Sequence, residues 1–148
     1  MRRWRCGWLV VCATCLTIGS AEAQWAEWGG PSRDFKLTAR ELSIDWGATG
    51  PKEFWRQDLG EGYSAIGVDE GVLYTMYRRG SDEVVVALDA QTGKGVWEFA
   101  YAAPEWEGFN TGYGPGPHST TMVVEGRVYA IGVRSLLHCL EKKTGKVV

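Results

Sequence analysis

Short apolar runs separated by turn residues are the main pattern along the chain. Four of them lie close together, and each is rich in β-branched or aromatic residues: 64–68, 72–77, 84–89 and 95–101. Their length and composition predict four short strands joined as an antiparallel meander. The second and third runs are apolar on both faces, so the sheet is expected to be covered on both sides.

The connection after the third run carries the clearest turn chemistry. Asp89 supplies a carboxylate that can bond the turn backbone, and Gly93 can adopt positive φ. The pattern of Thr92, Gly93 and Lys94 returns 52 residues later as Thr144, Gly145 and Lys146. The chain therefore contains an internal repeat.

The apolar runs repeat as well. Runs at 119–124, 127–133 and 136–140 follow the first three strands, starting at an offset of 55 residues. The two offsets, 55 and 52 residues, are expected to differ because the middle loops differ in length. The loop of the second unit, at Arg134 and Ser135, is predicted to be shorter than that of the first unit, at 78–83.

Two segments precede the repeats. Residues 53–59 alternate apolar with polar side chains from Trp55 onward, which predicts a strand with Trp55 in the place that Trp97 has later. Residues 24–52 are expected to form an N-terminal arm that packs Trp25 and Trp28 onto a sheet, because Gly-Gly-Pro at 29–31 excludes regular structure.

The first 23 residues have the features of a secretory signal peptide. Three arginines near the start precede an apolar stretch at 8–18, and Ala21 and Ala23 form an A-x-A cleavage site. The apolar stretch is shorter than the roughly 20 residues of a membrane span. We expect cleavage after Ala23, a periplasmic or secreted location, and no transmembrane segment in the mature chain.

Charge and cysteine content exclude several classes of function. The formal net charge is −2, and no basic patch suggests nucleic acid binding. Three of the four cysteines lie in the leader, so cleavage leaves Cys139 alone and rules out an internal disulfide framework. Cys139 is expected to be a small buried residue of a strand.

A four-stranded unit that returns after about fifty residues predicts an all-β protein, a partial β-propeller of antiparallel blades over residues 53–148. The residues Ala87, Asp89, Thr92, Gly93, Lys94 and Trp97 also resemble the tryptophan-docking motif of pyrroloquinoline quinone (PQQ)-type propeller repeats. The second copy departs from it, with Cys139 for the alanine and Glu141 for the aspartate. The resemblance implies a structural motif in which Trp97 packs between the turn of its own blade and an adjacent blade.

About two blades are counted: one complete, three strands of a second and the single strand before them. The 52-residue offset places the next docking tryptophan directly after Val148. We therefore expect the sequence to be a fragment of a closed propeller, with further blades of the same period following.

The resemblance implies two kinds of function. Quinoprotein dehydrogenases hold PQQ and calcium with acidic and amide side chains and a pair of adjacent cysteines, none of which can be assigned here. Other members are binding scaffolds of the cell envelope. The sequence favours a scaffold that binds envelope proteins, without catalytic, cofactor-binding or metal residues, and leaves part of a PQQ-dependent dehydrogenase as the alternative.

Other polar or aromatic residues receive structural interpretations. His118 and His138 lack an acidic partner or a third ligand, so neither predicts a hydrolase or a metal site. The segment from Glu105 to Phe109 is the best candidate contact surface, since long loops on rigid scaffolds commonly carry recognition. A loop that only covers the seam between blades is the other interpretation.

Overall fold

The computed structural model describes residues 24–36, 45–105, 108 and 112–148, and every regular element among them is a β-strand. The first sheet contains, in order, β1 (Gly67–Asp69), β2 (Val72–Arg79), β3 (Asp82–Asp89) and β4 (Gly95–Ala102). The second contains β5 (Met122–Val124), β6 (Arg127–Ile131) and β7 (Leu137–Glu141). All pairings are antiparallel, which confirms the all-β fold of repeated propeller sheets.

The hairpin of β2 and β3 is longer than the sequence predicts. Arg78 pairs with Glu83 and Arg79 with Asp82, so only Gly80 and Ser81 form the turn. The expected loop over 78–83 is wrong because its charged residues continue both strands. Arg78 and Glu83 are both buried, so this part of the hairpin lies inside the fold.

The second sheet also corrects the explanation of the two offsets. Its strands β6 and β7 pair over five residues, from Arg127↔Glu141 to Ile131↔Leu137, whereas β2 and β3 pair over eight. The connection at 132–136 is longer than the turn at 80–81, not shorter. The repeats differ in offset because the strands of the second hairpin are shorter.

The predicted strand at 53–59 does not form. Its residues belong to no strand ladder, although Trp55 bonds the turn after β3 and the adjoining Glu61 bridges to Arg78 of β2. The first strand of each sheet is likewise short, pairing over 67–69 where 64–68 was predicted and over 122–124 where 119–124 was predicted.

Apolar residues of the two sheets form one core between them. Its buried members are Tyr74, Met76, Val85, Ala87, Val123, Val128, Ala130 and Leu140. A second cluster fills the opposite face of the first sheet and consists of Tyr77, Val84, Val86 and Leu88. The first sheet is therefore buried on both faces, as the apolar runs predict.

The start of the arm joins the first strands of both sheets. The backbone of Trp25 exchanges hydrogen bonds with Val68, at 2.7 and 2.9 Å, and the carbonyl of Ala26 accepts one from Val123 N at 2.8 Å. Trp28 does not pack on a sheet as expected, since it is 63% exposed. Trp25 lies over Gly30 of its own turn, and the exposed Trp28 meets Phe35 edge-on.

Candidate functional site at the seam between the sheets

The turn between β3 and β4 is closed by its own side chains. Oδ1 of Asp89 accepts hydrogen bonds from the backbone N and the hydroxyl of Thr92, both at 2.7 Å, and from Gln91 N at 3.1 Å. These bonds from Thr92 lower the pKa of Asp89. The carbonyl of Lys94 accepts from Asp89 N at 2.9 Å, and Gly93 takes φ of +70°.

The turn after β7 has the same geometry despite its altered sequence. Glu141 N donates to Lys146 O at 2.8 Å, Gly145 N donates to Glu141 O at 2.9 Å, and φ of Gly145 is +69°. The Thr144 hydroxyl donates to the Glu141 carboxylate, as that of Thr92 does to Asp89. The longer acidic side chain therefore preserves the turn.

Each turn is covered by a tryptophan from another part of the chain. Trp97 Nε1 donates to the carbonyl of Lys142 at 2.8 Å, and Trp55 Nε1 donates to that of Ala90 at 3.0 Å. A Cβ on Gly145 would lie 2.6 Å from the Trp97 indole, and one on Gly93 would lie 2.5 Å from that of Trp55. Glycine is thus needed in each turn for close approach as well as for its φ.

The position of Trp97 differs from the one implied by the resemblance. The turn of its own blade is occupied by Trp55, and Trp97 reaches across to the turn of the following sheet. Within its own sheet Trp97 pairs with Ala87, which is fully buried, and its ring lies 6.0 Å from that of Tyr74. The structure thus places the motif residues at a junction between neighbouring sheets.

A lysine that the sequence did not single out connects the sheets beside Trp97. Lys142 Nζ lies 2.7 Å from Asp69, the last residue of β1, and 2.5 Å from Glu70 in the turn that follows. The hydrogen bonds to these carboxylates raise the pKa of Lys142. Lys142 therefore contributes to the junction twice, because its carbonyl also accepts the Trp97 indole.

A buried carboxylate lies at the other end of the seam. Glu83 Oε2 accepts a 2.7 Å hydrogen bond from the Tyr101 hydroxyl, and Oε1 accepts one from Val133 N at 3.2 Å. Any side chain at Gly132 would collide with this carboxylate. Burial, followed by the bond to Glu83, raises the pKa of Tyr101. The longer loop of the second sheet thus provides the backbone that receives Glu83.

Arg78 joins this carboxylate to the connection that follows β4. One guanidinium nitrogen lies 4.0 Å from Glu83 Oε1, and both side chains are almost fully buried. Two others donate to the carbonyls of Ala103, at 2.9 Å, and Pro115, at 3.1 Å. A single side chain therefore holds both ends of the long connection. Sequence reasoning missed Arg78 and Glu83, although opposite charges on either side of a Gly-Ser turn were a visible signal.

Comparison with known proteins agrees with this repeat geometry. Residues 35–107 and 81–148 match the PQQ-like family described as outer membrane protein assembly factor BamB. The chain belongs to the PQQ-like repeat family. No curated protein sequence matches it.

Two solved structures resemble part of this PQQ-like chain. BamB from Moraxella catarrhalis is 21% identical, with a TM-score of 0.38, over 57% of this chain and 22% of that one. A europium-containing methanol dehydrogenase is 22% identical, with a TM-score of 0.44, over 59% of this chain and 14% of that one. The chain thus spans about a fifth or less of the length of these two proteins.

The acidic residues of the PQQ-like turns and seam already have partners. Asp69 and Glu70 bind Lys142, Glu83 binds Tyr101, and Asp89 binds its own turn. In the described part of the chain, no three His, Cys, Asp or Glu side chains converge on one point. These donor groups do not fit a calcium-held quinone, so we derive no redox step from them.

The two histidines lie among aromatic rings. His118 stacks on Tyr63 with ring centroids 5.4 Å apart. His138 lies 4.2 Å from Tyr101 and 5.1 Å from Phe99, in the seam. Its Nδ1 is buried without a hydrogen-bond partner among the described residues, and burial lowers the pKa of His138.

Acid should therefore weaken the seam. Because the folded-state pKa of His138 lies below the unfolded value of 6.5, its contribution to stability is present above that value and is lost as pH falls through the folded-state pKa. We expect the free energy of unfolding, measured by urea titration, to fall as the pH is lowered from about 7 through 6.5 towards the folded-state pKa. Tyr101 packs against the ring, and the charge of Glu83 acts on it in the opposite direction, raising the pKa of His138 by less than burial lowers it.

The matched comparison is between two histidine variants. His138→Gln should flatten this part of the pH profile, whereas His118→Gln should leave it unchanged. A wild-type profile that is already flat over this range, or one that His118→Gln flattens equally, would contradict the assignment to His138.

The predicted contact surface lies largely outside the described residues. Trp106, Glu107 and Phe109 are among the residues that the structure does not describe, while Glu105 and Gly108 are exposed. The connection that contains them is held at Ala103 and Pro115 by Arg78. A recognition role for this segment stays a prediction.

Proposed function

We propose that the chain serves as an exported, non-catalytic binding scaffold in the cell envelope. The observation that carries the proposal is that both copies of the repeat turn bind a tryptophan from another segment, through the Ala90 and Lys142 carbonyls. The residues most typical of a PQQ-like repeat are thus engaged in holding the fold together. We therefore expect the chain to function by binding other proteins through its surface, and not by catalysis.

An envelope location is supported by two independent features. The matching family is named after an outer membrane protein assembly factor. The first 23 residues have the pattern of a cleavable export signal. None of the described segments forms a helix able to span a bilayer. The expected partners are therefore other envelope proteins, and no nucleic acid.

A quinone titration tests the non-catalytic part of the proposal. The chain is titrated with PQQ in the presence of calcium and followed by absorbance, and alcohol oxidation is measured with a dye acceptor. We expect neither saturable binding nor turnover. Saturable binding with turnover would establish the dehydrogenase alternative instead.

Cross-linking in intact envelopes tests the scaffold part. A specific cross-linked envelope protein is expected from the wild-type chain, and Trp106→Ala or Phe109→Ala should reduce its yield. Trp46→Ala is the matched control, because Trp46 is an exposed tryptophan of the arm. Equal loss with Trp46→Ala, or no loss with either loop variant, would remove the segment at 105–109 from the interaction.

A further inference from the structure

A small cavity opens between the two sheets, beside the ion pairs of Lys142. Its volume is about 190 Å³, and it is lined by Glu70, Val72, Tyr74, Val96, Lys142 and Lys143. The first sheet provides the wall from β2, β4 and the turn before β2, and the turn after β7 provides the two lysines. Both sheets therefore contribute to this cavity.

The two lysines are peculiar to the second copy of the repeat turn. At the 52-residue offset, Lys142 and Lys143 correspond to Ala90 and Gln91 of the first copy. The first copy accepts an indole through the Ala90 carbonyl without a lysine at either position. The repeat turn therefore does not account for the side chains of these lysines.

Tyr74 brings a hydroxyl group without a partner to the same cavity. Its side chain is only 2% exposed, and the hydroxyl makes no hydrogen bond with another described residue. The hydroxyl oxygen is nevertheless not sealed from solvent. The small accessible part of Tyr74 therefore includes the hydroxyl, which faces the cavity. Burial raises the pKa of Tyr74, so the hydroxyl is protonated at neutral pH and can donate.

The carboxylates at the cavity are already matched, whereas some of the donors are not. Lys142 Nζ binds both Asp69, at 2.7 Å, and Glu70, at 2.5 Å. Lys143 is exposed and belongs to no ion pair of the described residues. The charges of the two carboxylates and two lysines sum to zero, so a ligand is selected by contact and not by a general positive field. The groups left for it, the Tyr74 hydroxyl and the Lys143 ammonium, can both donate hydrogen bonds.

We propose that this cavity binds a small ligand that carries a carboxylate and a short branched apolar part. The carboxylate accepts hydrogen bonds from the Tyr74 hydroxyl and the Lys143 ammonium, and the apolar part packs against Val72 and Val96. A volume of about 190 Å³ corresponds to roughly six water molecules, which a short branched acid would replace. Free short-chain acids and the C-terminus of a peptide share this chemistry. The inference goes beyond the scaffold function, which does not require such a ligand.

Titrations followed by NMR test the site. The isotope-labelled full chain is titrated with isovalerate and, separately, with isovaleramide, which has nearly the same shape but no charge. We expect isovalerate to shift the backbone amides of residues 70–74, 96 and 142–143 in a saturable manner. Isovaleramide should bind about tenfold more weakly or less, because its donors meet an ammonium group and it has no charge to offer.

A peptide arm identifies the source of the carboxylate. The tripeptide Gly-Gly-Val is used with a free and with an amidated C-terminus, and the free form should bind more tightly. Tighter binding of the free tripeptide than of isovalerate assigns the site to a peptide C-terminus, and the reverse order assigns it to a free acid. Absence of binding in both arms would overturn the inference.

Variants connect the binding to the named donors. Tyr74→Phe should weaken the binding of isovalerate about tenfold, the usual effect of losing one hydrogen bond to a charged group. It should unfold at the same urea concentration as the wild type, because the hydroxyl has no partner in the described fold. Lys143→Gln should weaken binding about two- to fivefold. Lys146→Gln is the matched control, since it removes the same charge from the same turn outside the cavity.

The two exposed lysines keep the test decisive if Tyr74→Phe does not fold. Equal affinities for isovalerate and isovaleramide, shifts confined to other residues, or equal effects of Lys143→Gln and Lys146→Gln would contradict the assignment. None of these outcomes depends on PQQ or on an envelope partner, so this proposal and the scaffold function fail separately.

Discussion

Replacing Trp97 with alanine is expected to reduce the free energy of unfolding by about 3–5 kcal/mol. The partly buried indole packs against the core between the sheets, covers Gly145 and donates to the Lys142 carbonyl, so its loss leaves a gap and an unpaired acceptor. A loss of this size is a large part of the roughly 5–15 kcal/mol that holds a typical domain together. Urea denaturation of the variant and the wild type measures it.

Two variants separate the contributions at this position. Trp97→Phe keeps most of the apolar contact but removes the N–H donor. The lost hydrogen bond should lower the free energy of unfolding by about 1 kcal/mol, and the smaller ring should lower it further. Trp28→Ala is the control, because Trp28 is 63% exposed. If Trp97→Ala unfolded at the same urea concentration as Trp28→Ala, the contact of Trp97 with the second sheet would not contribute to stability.

Glu83→Ala is expected to have a similarly large effect, about 3–5 kcal/mol. The substitution leaves the buried guanidinium of Arg78 without its carboxylate and the Tyr101 hydroxyl without its acceptor. Glu83→Gln should cost less, because the amide oxygen can still accept from Tyr101. Thermal and urea denaturation of the three chains give the comparison.

The pair of Glu98 and Arg79 is the control for this result. Its side chains lie 3.0 Å apart but are about half exposed, so Glu98→Ala should cost less than about 1 kcal/mol. Equal costs for Glu83→Ala and Glu98→Ala would show that burial of the first pair has no energetic consequence.

The strands and turns could be predicted because their signals are local. Val84, Val85 and Val86 mark a buried strand by themselves, and Thr92 with Gly93 marks the turn that follows it. The repeat then locates the second turn without further information. The family follows from the same residues, since its motif lies in this turn.

The partners of the seam residues could not be predicted in the same way. Glu83 accepts from Val133 and Lys142 binds Asp69, contacts that join residues 50 and 73 positions apart. Nothing near Glu83 or Lys142 in the sequence indicates these partners, and burial reverses the usual expectation that charged residues lie in loops. Contact of Trp97 with an adjacent blade was expected, but the turn that it covers was assigned to the wrong sheet for the same reason, because its acceptor is 45 residues away.

The arm bridging both sheets has a consequence for the order of folding. Trp25 and Ala26 are synthesised well before Val123, which gives Ala26 its hydrogen bond and which a ribosome adds several seconds later at about 5–20 residues per second. Before Val123 is added, Trp25 can pair with Val68 of the first sheet, while the Ala26 carbonyl remains exposed to water. Some of the earliest residues to emerge are thus among the last to reach their native hydrogen bonds.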